Sequence, residues 1–291
     1  MNALVFGEIL WDIIEGNHHL GGAPLNFAAH LKKCGEASTI ISALGNDTLG
    51  EKALALVKGL GVDIKSIQRL DKPTGYVPVT IKDGQPEYEI TEDVAFDYIQ
   101  KEQLHKLNLC PYDLFYFGSL IQRSEVSGQS LKMVLDQCTF DHVFYDVNLR
   151  KNCYTREIVE YSLSKCTILK VNDEEVEVIS AMLFQQQFSF EEFCKTMALK
   201  YPQIKVVVIT AGAKGCYIFS EEVLTNVHTE PISVVDTVGA GDSFSAAFAS
   251  VYIKTGDALQ AAKVANKVGG FVATSAGPIP DYPEEIQAYF L

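Results

Sequence analysis

The sequence predicts an α/β protein: a mostly parallel sheet sandwiched by helices, with a small β lid. Three observations predict it. Short apolar runs alternate with helix-like segments along most of the 291 residues, and that βαβ alternation builds a parallel sheet covered by helices. Polar turn residues recur where the runs end, which is where open α/β sheets bind ligands. One segment, residues 75–90, breaks the rhythm and alternates at period two around Asp83-Gly84, a hairpin signature.

Taken in order, Ala3-Leu4-Val5-Phe6 is apolar with no basic segment before it, so it reads as a first strand and not as a signal peptide. A helix is expected over 25–34, a strand over 39–43 (Thr-Ile-Ile-Ser-Ala) and a helix over 49–60. Pro78 and Pro86 then place the hairpin on sheet edges, because proline cannot donate to a ladder. Aromatic and β-branched runs at 114–117 and 143–147 read as strands on either side of a helix at 130–137. Helix 157–164, strand 167–171, helices 173–182 and 190–200, and strand 206–210 continue the rhythm. Strand 216–219 and a strand-like run at 232–235 precede two closing helices, 242–254 and 258–275. The expected division is a core of residues 1–10, 26–72 and 94–291, with residues 11–25 and 73–93 forming the lid.

Composition narrows the class. Net charge is −13, from 24 basic and 37 acidic residues, which argues against nucleic acid and anionic membranes as partners. No apolar run approaches the roughly 18 residues of a membrane span. Seven cysteines are scattered singly, with no CxxC pair; reduced, buried thiols in a cytoplasmic protein are expected. The six histidines show no HxH or HExxH spacing, and His18-His19 reads as a solvated pair. Gly45–Gly50 has the glycine spacing of a P-loop, but Glu51-Lys52 stand where Lys and Ser/Thr would be needed.

The chemistry concentrates at strand ends: Asp146-Val147-Asn148-Leu149-Arg150, then Lys170-Val171-Asn172-Asp173-Glu174-Glu175, then Thr210-Ala211-Gly212-Ala213-Lys214-Gly215. The sharpest feature is Asp236-Thr237-Val238-Gly239-Ala240-Gly241-Asp242, a glycine-rich turn that opens a helix. Backbone N–H groups left unpaired at a helix N-terminus form an anion site. An acid there is awkward beside a phosphate unless it takes a proton from an attacking hydroxyl. Phosphoryl transfer to an alcohol follows. Asp242 could also simply complement the helix dipole.

These residues resemble the ribokinase family of carbohydrate and nucleoside kinases, and within it the fructokinases. The resemblance rests on Gly7-Glu8-Ile9-Leu10-Trp11-Asp12, Gly21-Gly22-Ala23-Pro24-Leu25-Asn26, Asn172 to Glu175, Thr210 to Gly215 and Asp236 to Asp242. Val147 stands where many relatives carry Pro. The resemblance implies ATP-dependent phosphorylation of a sugar hydroxyl, with fructose to fructose 6-phosphate as the leading pair. Asp242 would be the base, and the amides of Gly239, Ala240 and Gly241 would hold the transferring phosphoryl group. Arg150 would present its planar fork to sugar oxygens or phosphate. Asp12, Gly21, Gly22 and Asn26 would line the sugar site. Asn26 could instead be a helix cap and Asp12 a solvated loop acid. Asn172 and Glu175 would hold the Mg2+ that accompanies ATP, through water. Thr210, Gly212, Lys214, Gly215 and Asn266 would bind the nucleotide. Asp236 and the Val238 carbonyl match part of the site at which some relatives hold a monovalent cation, with K+ the candidate. Relatives also dimerise through the lid, so a homodimer is expected.

Acceptor chemistry gives further expectations. Lys82 stands against Asp83, Glu87 and Glu89 in the hairpin, and Asp12 adds another acid, which disfavours phosphorylated acceptors. Tyr76, Tyr88 and Phe96 leave an adenosine or nucleoside acceptor open. Arg69 or Arg150 could pair with the carboxylate of a 2-keto-3-deoxygluconate acceptor. A sugar-binding regulator without catalysis is the reading from a different class, and the intact Asp242, Asn172, Glu175 and Gly239–Gly241 set argues against it.

Overall fold

The computed structural model describes residues 1–14, 16–82, 85–88, 90–104 and 111–291. A nine-stranded sheet is built from β1 (Asn2–Phe6), β4 (Ala37–Gly45), β5 (Ile67–Leu70), β8 (Leu114–Gly118), β9 (His142–Asp146), β10 (Ile168–Asn172), β11 (Val206–Thr210), β12 (Cys216–Ser220) and β13 (Val223–Val227). Its order is β13-β12-β11-β10-β9-β8-β1-β4-β5. The seven strands from β11 to β5 pair in parallel, and β12 and β13 turn back antiparallel at one edge. The second sheet has four strands, ordered β3-β2-β6-β7: β2 (Leu10–Ile14), β3 (Asn17–Gly21), β6 (Gly75–Lys82) and β7 (Gln85–Tyr88).

The pleat divides the core. Leu4 and Phe6 of β1 pack toward one face, Ala3 and Val5 toward the other. The first face is covered by α4 (Glu125–Gln137), α5 (Arg156–Lys165), α6 (Asp173–Phe184) and α7 (Phe190–Lys200); the short α3 (Lys101–Leu104) also joins it. The other is covered by α1 (Ala23–Lys33), α2 (Thr48–Gly59), α8 (Ala240–Thr255) and α9 (Ala258–Ala273), with α10 (Glu284–Gln287) near the end of the chain. Strands buried on both faces explain why these runs are continuously apolar instead of alternating. Among the described residues no helix is long and apolar enough to cross a membrane. Cys34, Cys153, Cys166, Cys194 and Cys216 are buried thiols, and Cys110 lies outside the described residues.

Two expectations need correction. Residues 232–235 are not a strand: they run as an exposed, irregular segment, and the amides of Val235 and Asp236 both reach Ala273 O. The sheet edge is already occupied by β13, so this β-branched stretch pairs with the end of α9. Pro78 is not on an edge strand, because β6 lies between β2 and β7. The ladder to β7 begins only at Val79, however, so at Pro78 the strand has a neighbour on the β2 side alone. Proline is tolerated for that local reason. The expected Asp83-Gly84 turn lies outside the described residues.

Candidate active site

The carboxyl ends of the parallel strands, the N-termini of α1 and α8 and the four-stranded sheet converge on one cleft. At its centre Asp242 stands in the first turn of α8. Asn26, from the first turns of α1, donates Nδ2–H to Asp242 Oδ2 at 2.7 Å. Two segments 216 residues apart in sequence thus meet at one carboxylate. Burial pushes the Asp242 carboxyl up to about 6, against the pull of the Asn26 hydrogen bond; the nearby Asp146 adds to the rise, and Lys170 and Arg150 oppose it. Asn26 is not the cap of α1. Gly22 holds that position, and no side chain caps the helix.

The turn before Asp242 depends on glycine. Gly239 sits at φ 78°, and a Cβ there would lie 2.5 Å from Pro278 O. Among the described residues the amides of Gly239, Gly241 and Asp242 have no hydrogen-bond partner, whereas Ala240 N donates to Thr237 O at 3.2 Å. The set of free amides differs from the expected Gly239, Ala240 and Gly241 by one member. Tightening of the turn withdraws the Ala240 amide, and the Asp242 amide is free in its place. Asp236 braces the turn, taking Val238 N on Oδ1 at 3.0 Å and Gly277 N on Oδ2 at 3.3 Å.

Beneath these amides lies an ionic network whose members Asp146 and Lys170 the sequence reading placed at strand ends without pairing them. Lys170 Nζ, buried on β10, donates to Asp146 Oδ1 at 3.0 Å. Ser245 Oγ and Tyr116 OH donate to Asp146 Oδ2 at 2.9 and 3.3 Å. A Cβ on Gly241 would be 3.7 Å from the ammonium, so Lys170 underlies the free amides. The signal was legible: a lone lysine within the apolar run Thr-Ile-Leu-Lys-Val.

The sugar-side residues come from the other sheet. Asp12, on β2, faces Gly21 of β3 closely enough that a Cβ there would meet Asp12 Oδ2 at 2.9 Å. Gly22 has φ 110°, and a Cβ on it would strike Glu8 O at 2.5 Å. Burial raises the Asp12 carboxyl, opposed by Arg150 and His19. Arg150 is exposed and its guanidinium makes no hydrogen bond among the described residues. Its charge acts on Glu8, Asp12 and Asp242 alike.

Asn172 and Glu175 form a capping box at the start of α6. Asn172 Oδ1 takes Glu175 N at 2.7 Å, and Glu175 Oε2 takes Asn172 N at 2.8 Å. Glu175 Oε1 also takes Leu149 N at 2.8 Å. Among the described residues no cluster of three or more His, Cys, Asp or Glu could hold a metal ion. Both Glu175 oxygens are thus committed to backbone amides, so a magnesium ion beside this pair would be touched through water.

Thr210 ends β11, and the loop after it closes with Ala211 N on Gly215 O at 2.9 Å. Lys214 and Gly212 are exposed on that loop. Asn266 Nδ2 donates to Val227 O at 2.9 Å, and the same carbonyl presses on Gly215, where a Cβ would sit 2.2 Å away. The late helix and the loop therefore meet at Val227. A cavity of ≈ 400 Å³ opens beside them, lined by His228, Ile232, Lys263, Asn266, Gly270 and Phe271 among others. Gly269, beside the lining residue Gly270, packs on the start of α8, where a Cβ would lie 3.1 Å from Ala240 O.

Comparison with known proteins identifies the family. Residues 4–285 match the pfkB family carbohydrate kinase model. A sugar kinase of Pyrococcus horikoshii is 27% identical over 93% of this chain and 89% of its own. The structure of that uncharacterized sugar kinase in complex with ATP superposes with a TM-score of 0.81, over 96% of this chain and 94% of the other at 25% identity. Fructokinase-1 of Oryza sativa subsp. japonica is 26% identical over 92% of this chain and 86% of its own. An ATP-dependent 6-phosphofructokinase of Thermoanaerobacterium thermosaccharolyticum is also 26% identical, over 97% and 91%. The chain belongs to the pfkB family of carbohydrate kinases.

Proposed function

We propose that this pfkB-family carbohydrate kinase transfers the terminal phosphoryl group of ATP to a hydroxyl of a free hexose, with fructose to fructose 6-phosphate as the favoured reaction. The observation that carries it is one turn of helix holding both halves of the chemistry: Asp242, oriented by Asn26 at 2.7 Å, and three free amides beside it. A carboxyl raised to about 6 is mostly ionised at neutral pH, yet more basic than an ordinary aspartate, which suits a general base. Asp242 takes the hydroxyl proton as the sugar oxygen attacks phosphorus. The amides of Gly239, Gly241 and Asp242 receive the negative charge on the transferring group, with the Lys170 ammonium beneath them. Magnesium bound with ATP would neutralise phosphate charge, held through water beside Asn172 and Glu175. A monovalent cation, K+ the candidate, would sit against Asp236 and the Val238 carbonyl.

The four-stranded sheet is the lid of this proposal, carrying Asp12 over the sugar and excluding water. The acceptor reading draws on the same residues. Arg69 donates to Gly45 O and pairs with Glu51, both at 2.7 Å, and Phe96 is fully buried in the core. That weakens a keto-acid reading through Arg69 and an adenosine cradle through Phe96. Arg150 remains open, so 2-keto-3-deoxygluconate stays as the second reading.

The test is a coupled ATPase assay over fructose, glucose, ribose, 2-keto-3-deoxygluconate, adenosine and fructose 6-phosphate, with NMR of the product. Fructose should give the highest kcat/KM. A higher value for another acceptor reassigns the substrate. No acceptor-dependent turnover, with sugar still bound, returns the protein to the regulator reading.

A further inference from the structure

Glu8 occupies the link between β1 and β2, at the carboxyl end of a central strand of the large sheet. It is 3% exposed, and its Oε2 is buried without a hydrogen-bond partner among the described residues. Unpaired buried polar atoms are rare and costly, and each needs a reason. Its surroundings are those of the acceptor pocket. Glu8 O and Cγ lie beside Gly22, 2.5 and 3.5 Å from where a Cβ on that glycine would be. The charged groups that act on it are Arg150, Asp242 and Arg123. Arg123 is already committed: it donates twice to Asp97, at 2.8 and 2.9 Å, and once to Thr91 O at 2.6 Å. Asn26 repeats the pattern. Its Nδ2 holds Asp242 while its Oδ1 is buried and unpartnered. Two orphaned oxygens thus belong to residues that meet the Gly22 turn, Glu8 across from it and Asn26 through its amide on Gly22 O.

We propose that Glu8 is a further specificity-determining residue of the acceptor pocket, its unpartnered Oε2 taking a hydroxyl of the acceptor sugar. The inference rests on the sugar-kinase reading and deepens it. Burial holds the Glu8 carboxyl up at about 7, against its own backbone hydrogen bond and the Arg150 charge. Near neutrality it can thus donate to a sugar oxygen in its protonated form or accept a hydroxyl in its ionised form. Such a contact selects for an acceptor with a hydroxyl at one ring position, because an analogue lacking it leaves the acid unpaired.

The test is a cycle between enzyme and substrate, using a set of monodeoxy fructoses and calorimetric binding as well as phosphoryl transfer. Glu8→Met removes the polar atoms at similar volume; Glu8→Gln keeps them. For fructose, Glu8→Met should lose about tenfold or more in Kd and kcat/KM. For one monodeoxy sugar it should lose almost nothing, and Glu8→Gln should recover most of the loss. The Tm of Glu8→Met should not fall below wild type, since an orphaned acid has been removed. An equal loss across all the deoxy sugars overturns the assignment. So does an unfolded Glu8→Met beside a normal Glu8→Gln, which would make Glu8 a packing residue. Wild type that binds none of the sugars overturns it as well. Sugar binding with Glu8-dependent discrimination but no transfer would instead sink the kinase reading and leave Glu8 in place.

Discussion

Two buried glutamates on opposite ends of the large sheet behave in opposite ways. Glu36, beyond the C-terminus of α1, is 2% exposed. Its carboxylate is met by the Met1 ammonium at 2.9 Å, by Ser250 Oγ at 2.7 Å and by Lys254. Burial alone would raise its carboxyl, but those hydrogen bonds outweigh it and hold the group below the ordinary glutamate value. Glu8, near the N-terminus of the same helix, is as deeply buried, keeps an unpaired oxygen and is raised to about 7. The same two helices carry both ends. α8 presents Asp242 at its start and Ser250 and Lys254 near its end; α1 runs from Asn26 toward Glu36. One end is satisfied and structural. The other keeps an unpaired oxygen and an acid raised toward neutrality, the pattern that the proposed acceptor contact would use.

The largest effect that would break this contrast is at Asp242. Asp242→Asn keeps the shape and the Asn26 contact but removes the base, so kcat should fall by about 10²–10⁴ while ATP still binds. Tm should be unchanged or raised. A variant with more than about half of wild-type kcat would take the catalytic role from Asp242.

Glu36→Ala should do the reverse. It leaves the Lys254 and Met1 charges without their buried partner, so stability should drop by about 3–5 kcal/mol, read by urea unfolding. The kcat and sugar KM of the folded fraction should stay near wild type. A clear change in kcat would mean that the two ends are coupled. Next in size is Asp12→Ala, expected to raise sugar KM by about tenfold with ATP KM unchanged; a raised ATP KM instead would move Asp12 out of the sugar pocket.

The smallest effect sharpens the comparison through pH. Because Asp242 must be ionised to act, kcat/KM should climb as pH rises through about 6 and then level. Stability has opposite signs at the two ends. Asp242 is raised, so the folded chain binds its proton more tightly; that contribution is present at low pH and is lost as pH rises through about 6. Glu36 is lowered, so its contribution is present above the ordinary value of 4.5 and is lost as the pH falls. The Tm difference between Asp242→Asn and wild type should therefore open above pH 6 and close toward pH 4. For Glu36→Ala the deficit should shrink as the solution becomes acidic. A flat kcat/KM profile from pH 5 to 8 would remove the acid limb, and with it the link between burial of Asp242 and its use as a base.

The sequence by itself determined the layered α/β architecture. Runs such as Val206–Thr210 are apolar along their whole length, and only a strand covered on both faces needs that. It also determined the glycine turn at 239–242, since an acid directly after glycines at a helix start has few chemical uses. The strands of the small sheet were half legible: β6 and β7 alternate at period two, but Asn-His-His-Leu-Gly of β3 carries no such signal and becomes a strand only by pairing with β2. Residues 232–235 show the converse, β-branched side chains with no free sheet edge to join. Tertiary structure alone decided which polar groups would be satisfied. Glu8 and Glu36 are the same residue type, each near one end of α1, and nothing local distinguishes them. The difference arises because Lys254 and Ser250, more than 200 positions away in the chain, fold onto one of them, while no hydrogen-bond donor among the described residues reaches Oε2 of the other.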